Sequence, residues 1–79
     1  MQLDLAHNGL TSLTPETAQL SNLTTLNLSS NKFTSLPLET LQLRNLTKLY
    51  LSDNDFSQEE NQKIKNLLPN CSVKFLWGG

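Results

Sequence analysis

The amino-acid sequence predicts an α/β solenoid, in which short repeated units stack and each unit contributes one strand to a parallel sheet. Three observations predict it: leucines recur at a period of 23 residues, asparagines recur at the same period, and an amphipathic segment follows the last repeat. A repeat of this length favours a stacked architecture, because one unit alone cannot bury its own leucines.

The strand of each unit is predicted from leucines that lie two residues apart. The two leucine columns are Leu3, Leu26, Leu49 and Leu5, Leu28, Leu51. Alternate residues of a strand point to the same face, so these leucines face the core and the residues between them form an open face. On the return path we expect a short 3₁₀ turn, with Pro15 and Pro37 at its first position and Thr14 as a cap.

A column of asparagines marks the point where each predicted strand ends. Asn8, Asn31 and Asn54 hold equivalent positions in the three units. Backbone groups that leave the sheet there stay buried, and a side-chain amide supplies both the donors and the acceptor that they need. We therefore interpret the column as an internal structural ladder, with ligand binding as the alternative.

The last unit leads into a predicted C-terminal cap. Ser57 and Glu60 have the spacing of a capping box, and residues 58–68 place Ile64, Leu67 and Leu68 on one helix face. Val73 follows Leu49 by 24 residues and predicts a final strand with one extra residue before it. We expect this segment to shelter the last leucines, since a solenoid needs a terminal shield. The alternative is a partner-binding amphipathic helix.

The unit Leu23-x-x-Leu26-x-Leu28-x-x-Asn31-x-Phe33 resembles the leucine-rich repeat, and its 23-residue form is similar to that of bacterial proteins. The resemblance implies a right-handed superhelix with the parallel sheet on its concave side and short irregular or 3₁₀ turns on its convex side. We predict one domain over residues 1–79, with about three repeats in 1–56 and a capping helix and strand in 57–79. No N-terminal cap is expected before Leu3.

Composition argues against two classes of partner. The net charge is −1, charged residues make up 16% of the chain, and its six basic residues are scattered. A nucleic-acid groove needs clustered Lys and Arg, and a membrane span needs an apolar stretch of about 18 residues. We therefore expect no nucleic-acid partner and no membrane span.

Catalytic and metal-binding patterns were not found in the sequence. His7 and Cys71 are the single histidine and cysteine, and three strand steps of ~4.8 Å would separate them by more than ~14 Å. A calcium loop that began at residue 53 would need Gly at position 58 and Glu at position 64, where the chain has Gln58 and Ile64. We expect no enzyme, no cofactor and no bound metal.

The compartment is not decided by the sequence. A single cysteine cannot form an internal disulfide, and residues 1–4 show no signal-peptide pattern. This favours the cytoplasm; a leader that has been removed is the alternative.

The resemblance implies a non-enzymatic interaction module that binds a protein or peptide on the concave face. Aromatic side chains are favoured anchors in such surfaces, and lysines add charge. The predicted partner-binding residues are Thr25, Asn27, Lys48, Tyr50, Asp53, Lys74 and Trp77.

Two further functions stay open. The first is structural: self-association as a homodimer through an uncapped N-terminal edge, formed by Leu3, Leu5, Leu10 and Leu13. The second is an accessory recognition domain of a larger protein, as in bacterial effectors that join such repeats to a separate catalytic domain.

Overall fold

A parallel sheet of four strands runs through residues 1–75, the part of the chain that this computed structural model describes. The strands are β1 (Gln2–Asp4), β2 (Thr25–Asn27), β3 (Lys48–Tyr50) and β4 (Ser72–Lys74), and they lie side by side in chain order. Leu3 pairs with Leu26, Leu26 with Leu49, and Leu49 with Val73. The predicted solenoid is confirmed, including the extra residue that precedes β4.

Two 3₁₀ helices, Pro15–Gln19 and Leu38–Gln42, carry the chain back on the opposite side. Pro15 is the first residue of its helix as predicted, whereas Pro37 precedes the second helix as its N-cap. The prediction for Pro37 is wrong because the two prolines differ by one position within the repeat.

The predicted capping by the Thr14 side chain is also wrong. That side chain accepts no hydrogen bond from the helix N–H groups. Instead its Oγ1 lies 3.4 Å from Oγ1 of Thr17, while the Thr14 carbonyl accepts the Thr17 N–H at 3.1 Å. The turn is thus closed by backbone hydrogen bonding.

The core lies between the sheet and the 3₁₀ side. Leu26, Leu28 and Leu49 are fully buried, and so are Phe33 and Ile64. Complete burial of an aliphatic side chain contributes about 1.5–3 kcal/mol, so a few columns of leucine supply most of the favourable energy of this small chain.

The asparagine column links each unit to the one before it. Asn31 is buried, and its Oδ1 accepts the N–H groups of Asn8 (3.0 Å) and Leu10 (2.9 Å). Its Nδ2 donates to the carbonyls of Leu5 and Leu28, both at 3.0 Å. One side chain therefore satisfies backbone groups of two neighbouring units.

Asn54 repeats this arrangement one unit further along. Its Oδ1 accepts the Phe33 N–H at 3.0 Å, and its Nδ2 donates to the carbonyls of Leu28 (2.9 Å) and Leu51 (3.1 Å). Asn8 is exposed, and its Nδ2 donates to the Leu5 carbonyl of its own unit at 2.9 Å. Within residues 1–75 the ladder thus consists of two rungs between units and one rung within the first unit.

The residue before each of these asparagines has a left-handed backbone. The φ angles are 62° at His7, 59° at Ser30 and 59° at Asp53. Residues other than glycine rarely adopt this conformation, although His and Asp do so more often than most, so the sequence signal is weak and is weakest at Ser30. The conformation recurs at the same position in all three units.

Helix α1 (Gln58–Leu67) covers the last unit and buries Ile64 completely. Ser57 caps it as predicted, because its Oγ accepts the Glu60 N–H at 3.1 Å. The Glu60 side chain does not complete the capping box. Its Oε1 accepts the Leu36 N–H at 3.3 Å, which ties the helix to the preceding unit.

We predict that Asn31→Ala lowers the free energy of unfolding by about 1–3 kcal/mol, because it leaves buried backbone groups of two units without partners. Asn8→Ala, at the equivalent exposed position, should cost less than about 0.5 kcal/mol. Urea denaturation of both variants measures the difference. Equal losses would contradict the inter-unit role of Asn31.

Candidate functional site

The concave face is formed by the strand side chains that point away from the leucine core. Register places them in two columns that cross the strands. One column is Gln2, Thr25, Lys48, Ser72, and the other is Asp4, Asn27, Tyr50, Lys74. None of these residues is buried, so the face is open to a partner.

A depression of about 360 Å³ crosses β1, β2 and β3 on this face. Asp4 and Lys48 stand exposed in its lining, while Thr25, Asn27 and Tyr50 are half-buried. Apart from Leu3, its lining residues carry polar or charged groups.

Asp4 and Asn27 also have a local structural task that the sequence analysis missed. Oδ1 of Asp4 accepts the Ala6 N–H at 3.0 Å, and Oδ1 of Asn27 accepts the Ser29 N–H at 3.0 Å. Asp and Asn commonly bond to the backbone two residues ahead, which is the signal that was available. Tyr50 takes this position in the third unit and presents an aromatic ring instead.

One of the predicted partner-binding residues that the structure describes, Asp53, does not lie with the others. Asp53 belongs to the loop after β3, where its Oδ2 accepts the Ser30 hydroxyl at 3.3 Å. It lines a separate depression of about 500 Å³ together with His7 and Lys32. Trp77 lies outside the described residues, so its predicted role stays a prediction.

The predicted N-terminal edge is partly covered. Leu3, Leu5 and Leu10 are half-buried, whereas Leu13 is only 8% exposed because it belongs to the main core. The four leucines line an apolar groove of about 250 Å³ with Ser12, Thr14 and Thr17. Leu13 therefore contributes little surface to this edge.

The described residues hold no group of three or more His, Cys, Asp or Glu side chains arranged to bind a metal ion. Over the same residues, none of the helices combines the length and apolar character needed to cross a bilayer. Burial raises the pKa of the Cys71 thiol, which lowers the fraction of nucleophilic thiolate at a given pH.

Comparison with known proteins identifies the family. A family model described as leucine rich repeat matches residues 1–56, and a second leucine-rich-repeat model matches residues 45–72. The chain belongs to the leucine-rich repeat family. Leucine-rich repeats generally mediate protein–protein interaction and are generally non-enzymatic.

A solved leucine-rich repeat protein of Leptospira interrogans has a similar fold. It matches with a TM-score of 0.66 and 35% sequence identity over 95% of this chain. The chain spans 25% of the length of that protein. A search of curated protein sequences found no match.

Proposed function

We propose that this leucine-rich repeat chain is a non-enzymatic interaction module that binds an extended protein or peptide segment on its concave face. The observation that supports this most directly is the depression across β1, β2 and β3, whose lining side chains, apart from Leu3, point away from the leucine core. Four short strands offer an interface of standard size or smaller, which suits a peptide or a loop.

Tyr50 is the central anchor of the proposed surface. It is half-buried at the third position of its column, between Asn27 on β2 and Lys74 on β4. A tyrosine buries a large apolar area with few rotatable bonds and keeps a hydroxyl for hydrogen bonding. Thr25 and Lys48 form the neighbouring column and supply a hydroxyl and a positive charge.

The loop depression beside Asp53 extends the surface for a longer partner. Asp53 is exposed at the end of β3, and Lys32 and Asp55 lie in the same lining. A partner that reaches beyond the sheet would contact this rim. A role as the recognition domain of a larger protein fits the proposal, because the matched Leptospira protein is about four times as long.

The repeat itself provides a matched test of the anchor. Tyr50→Asn installs the residue that β2 carries at the equivalent position, so the backbone environment tolerates it. Peptides selected from a random display library on the whole chain should lose about tenfold or more in affinity for this variant, as expected for an interface anchor. Leu38→Asn, at a 72% exposed position on the 3₁₀ side, is the control and should leave affinity unchanged. Selected peptides that bind Tyr50→Asn as tightly as the parent chain would contradict the proposal.

Self-association is a second candidate, supported by the apolar groove at the N-terminal edge. Within residues 1–75, β1 has a paired neighbour on one side only, and Leu3, Leu5 and Leu10 are partly open beside it. Among the described residues β4 is likewise paired on one side only, but α1 covers the core of the last unit through the buried Ile64. Association through the apolar groove would therefore pair the same edge of two copies as a two-fold dimer.

Analytical ultracentrifugation over a wide concentration range tests the dimer. Ser12→Glu places a charge in the groove without emptying the core, and should shift the equilibrium to monomer. Ser35→Glu, the exposed equivalent one unit later, should not. A parent chain that stays monomeric at high micromolar concentration would contradict self-association.

A further inference from the structure

Opposite charges stand at the two ends of one concave column. Asp4 lies on β1 at the start of the column and Lys74 on β4 at its end, with the uncharged Asn27 and Tyr50 between them. Lys48 adds a second positive charge in the adjacent column on β3. The three charged side chains are exposed. The face is therefore acidic at its β1 side and basic at its β3–β4 side.

The spacing of strands in a sheet gives the distance between the acidic and basic ends of the column. Neighbouring parallel strands lie ~4.8 Å apart, so the three steps from β1 to β4 separate the column ends by ~14 Å. An extended chain advances ~3.3 Å per residue, and ~14 Å thus corresponds to about four residues of a peptide that crosses the strands.

We propose that the partner of this face is an extended peptide segment with an acidic and a basic residue about four positions apart. The acidic side chain lies over Lys48 and Lys74, and the basic one lies over Asp4. This inference rests on the proposed function, because it specifies which segment the concave face selects.

The local hydrogen bonds fit these roles. Oδ1 of Asp4 is occupied by the Ala6 N–H at 3.0 Å, which fixes the carboxylate and leaves Oδ2 for the basic side chain of the partner. The half-buried Asn27 and Tyr50 lie beneath the uncharged middle of the segment, where an amide and a phenol can pair with its backbone. Charges arranged in this way set the direction in which the peptide lies.

Equivalent positions of the repeat supply variants that remove charge alone. Asp4→Asn installs the residue that β2 carries in the same column, and Asn27 shows that its Oδ1 can still accept the backbone N–H two residues ahead. Lys48→Thr installs the equivalent Thr25. Glu16→Gln removes an exposed charge from the 3₁₀ side and is the control.

The experiment selects random peptides of about twelve residues on the whole chain, a length that is ample for crossing four strands. We expect enrichment of peptides with an acidic and a basic residue about four positions apart. Binding of such a peptide is then measured by fluorescence anisotropy against the parent chain and the three variants. The same peptide with its basic residue replaced by Gln is measured in parallel.

Asp4→Asn should lower the affinity for the doubly charged peptide about two- to fivefold, because one exposed ion pair is lost. Its affinity for the Gln peptide should not change. Lys48→Thr should lower the affinity for both peptides, and Glu16→Gln should change the affinity for neither. Added salt should reduce these differences.

Enriched peptides without this charge spacing, or an Asp4→Asn effect that is equal for both peptides, would overturn the inference. The proposed function would survive that result if the same peptides still require Tyr50. If no selected peptide responds to Tyr50→Asn, the concave-face function itself fails, and the two failures are thereby distinguished.

Discussion

The fold depends on the bonds that a buried asparagine amide makes to the backbone of the unit before it. Where a strand ends, the chain turns inward, and its N–H and C=O groups leave the sheet at buried and partly buried positions. Asn31 supplies an acceptor to two N–H groups and donors to two carbonyls at 2.9–3.0 Å. An unpaired buried backbone group costs about 1–3 kcal/mol, so a stack this small depends on such rungs.

The same rungs position the surface that we propose as the binding face. Asn31 and Asn54 each tie one unit to the unit before it, and the strands of successive units pair at equivalent positions, so the open side chains form columns. The columns place Tyr50 beside Lys74 and put Asp4 at the far end. The positions of these charges therefore follow from the strand register, and a shifted register would move the charges relative to one another.

Periodicity predicted most of the fold. Leucines two residues apart, such as Leu26 and Leu28, mark a strand and its inward face, and the recurring asparagines mark the turns. The sequence did not reveal features that depend on atomic placement. The backbone at Ser30 is left-handed although the residue is not glycine. Likewise, the Glu60 carboxylate is drawn to the Leu36 N–H rather than to its own helix end. The bond between Glu60 and Leu36 is a tertiary contact between residues 24 positions apart, which no local pattern encodes.

The site was predicted less completely than the fold. Thr25, Asn27, Lys48, Tyr50 and Lys74 share one face because strand alternation fixes which side each residue takes. Asp53 does not share it, because the strands are only three residues long and β3 ends at Tyr50. Asn27 proved to hold the Ser29 N–H in addition to facing outward, a double role that spacing alone could not show.

Native-state hydrogen exchange of the amides that face the ladder tests this account most directly. The N–H groups of Leu10 and Phe33 bond to side-chain oxygens of Asn31 and Asn54 rather than to the sheet. If the rungs hold the units together, both amides exchange only through global unfolding, with the same free energy as the strand amides. Exchange through local fraying, well below that free energy, would contradict the account.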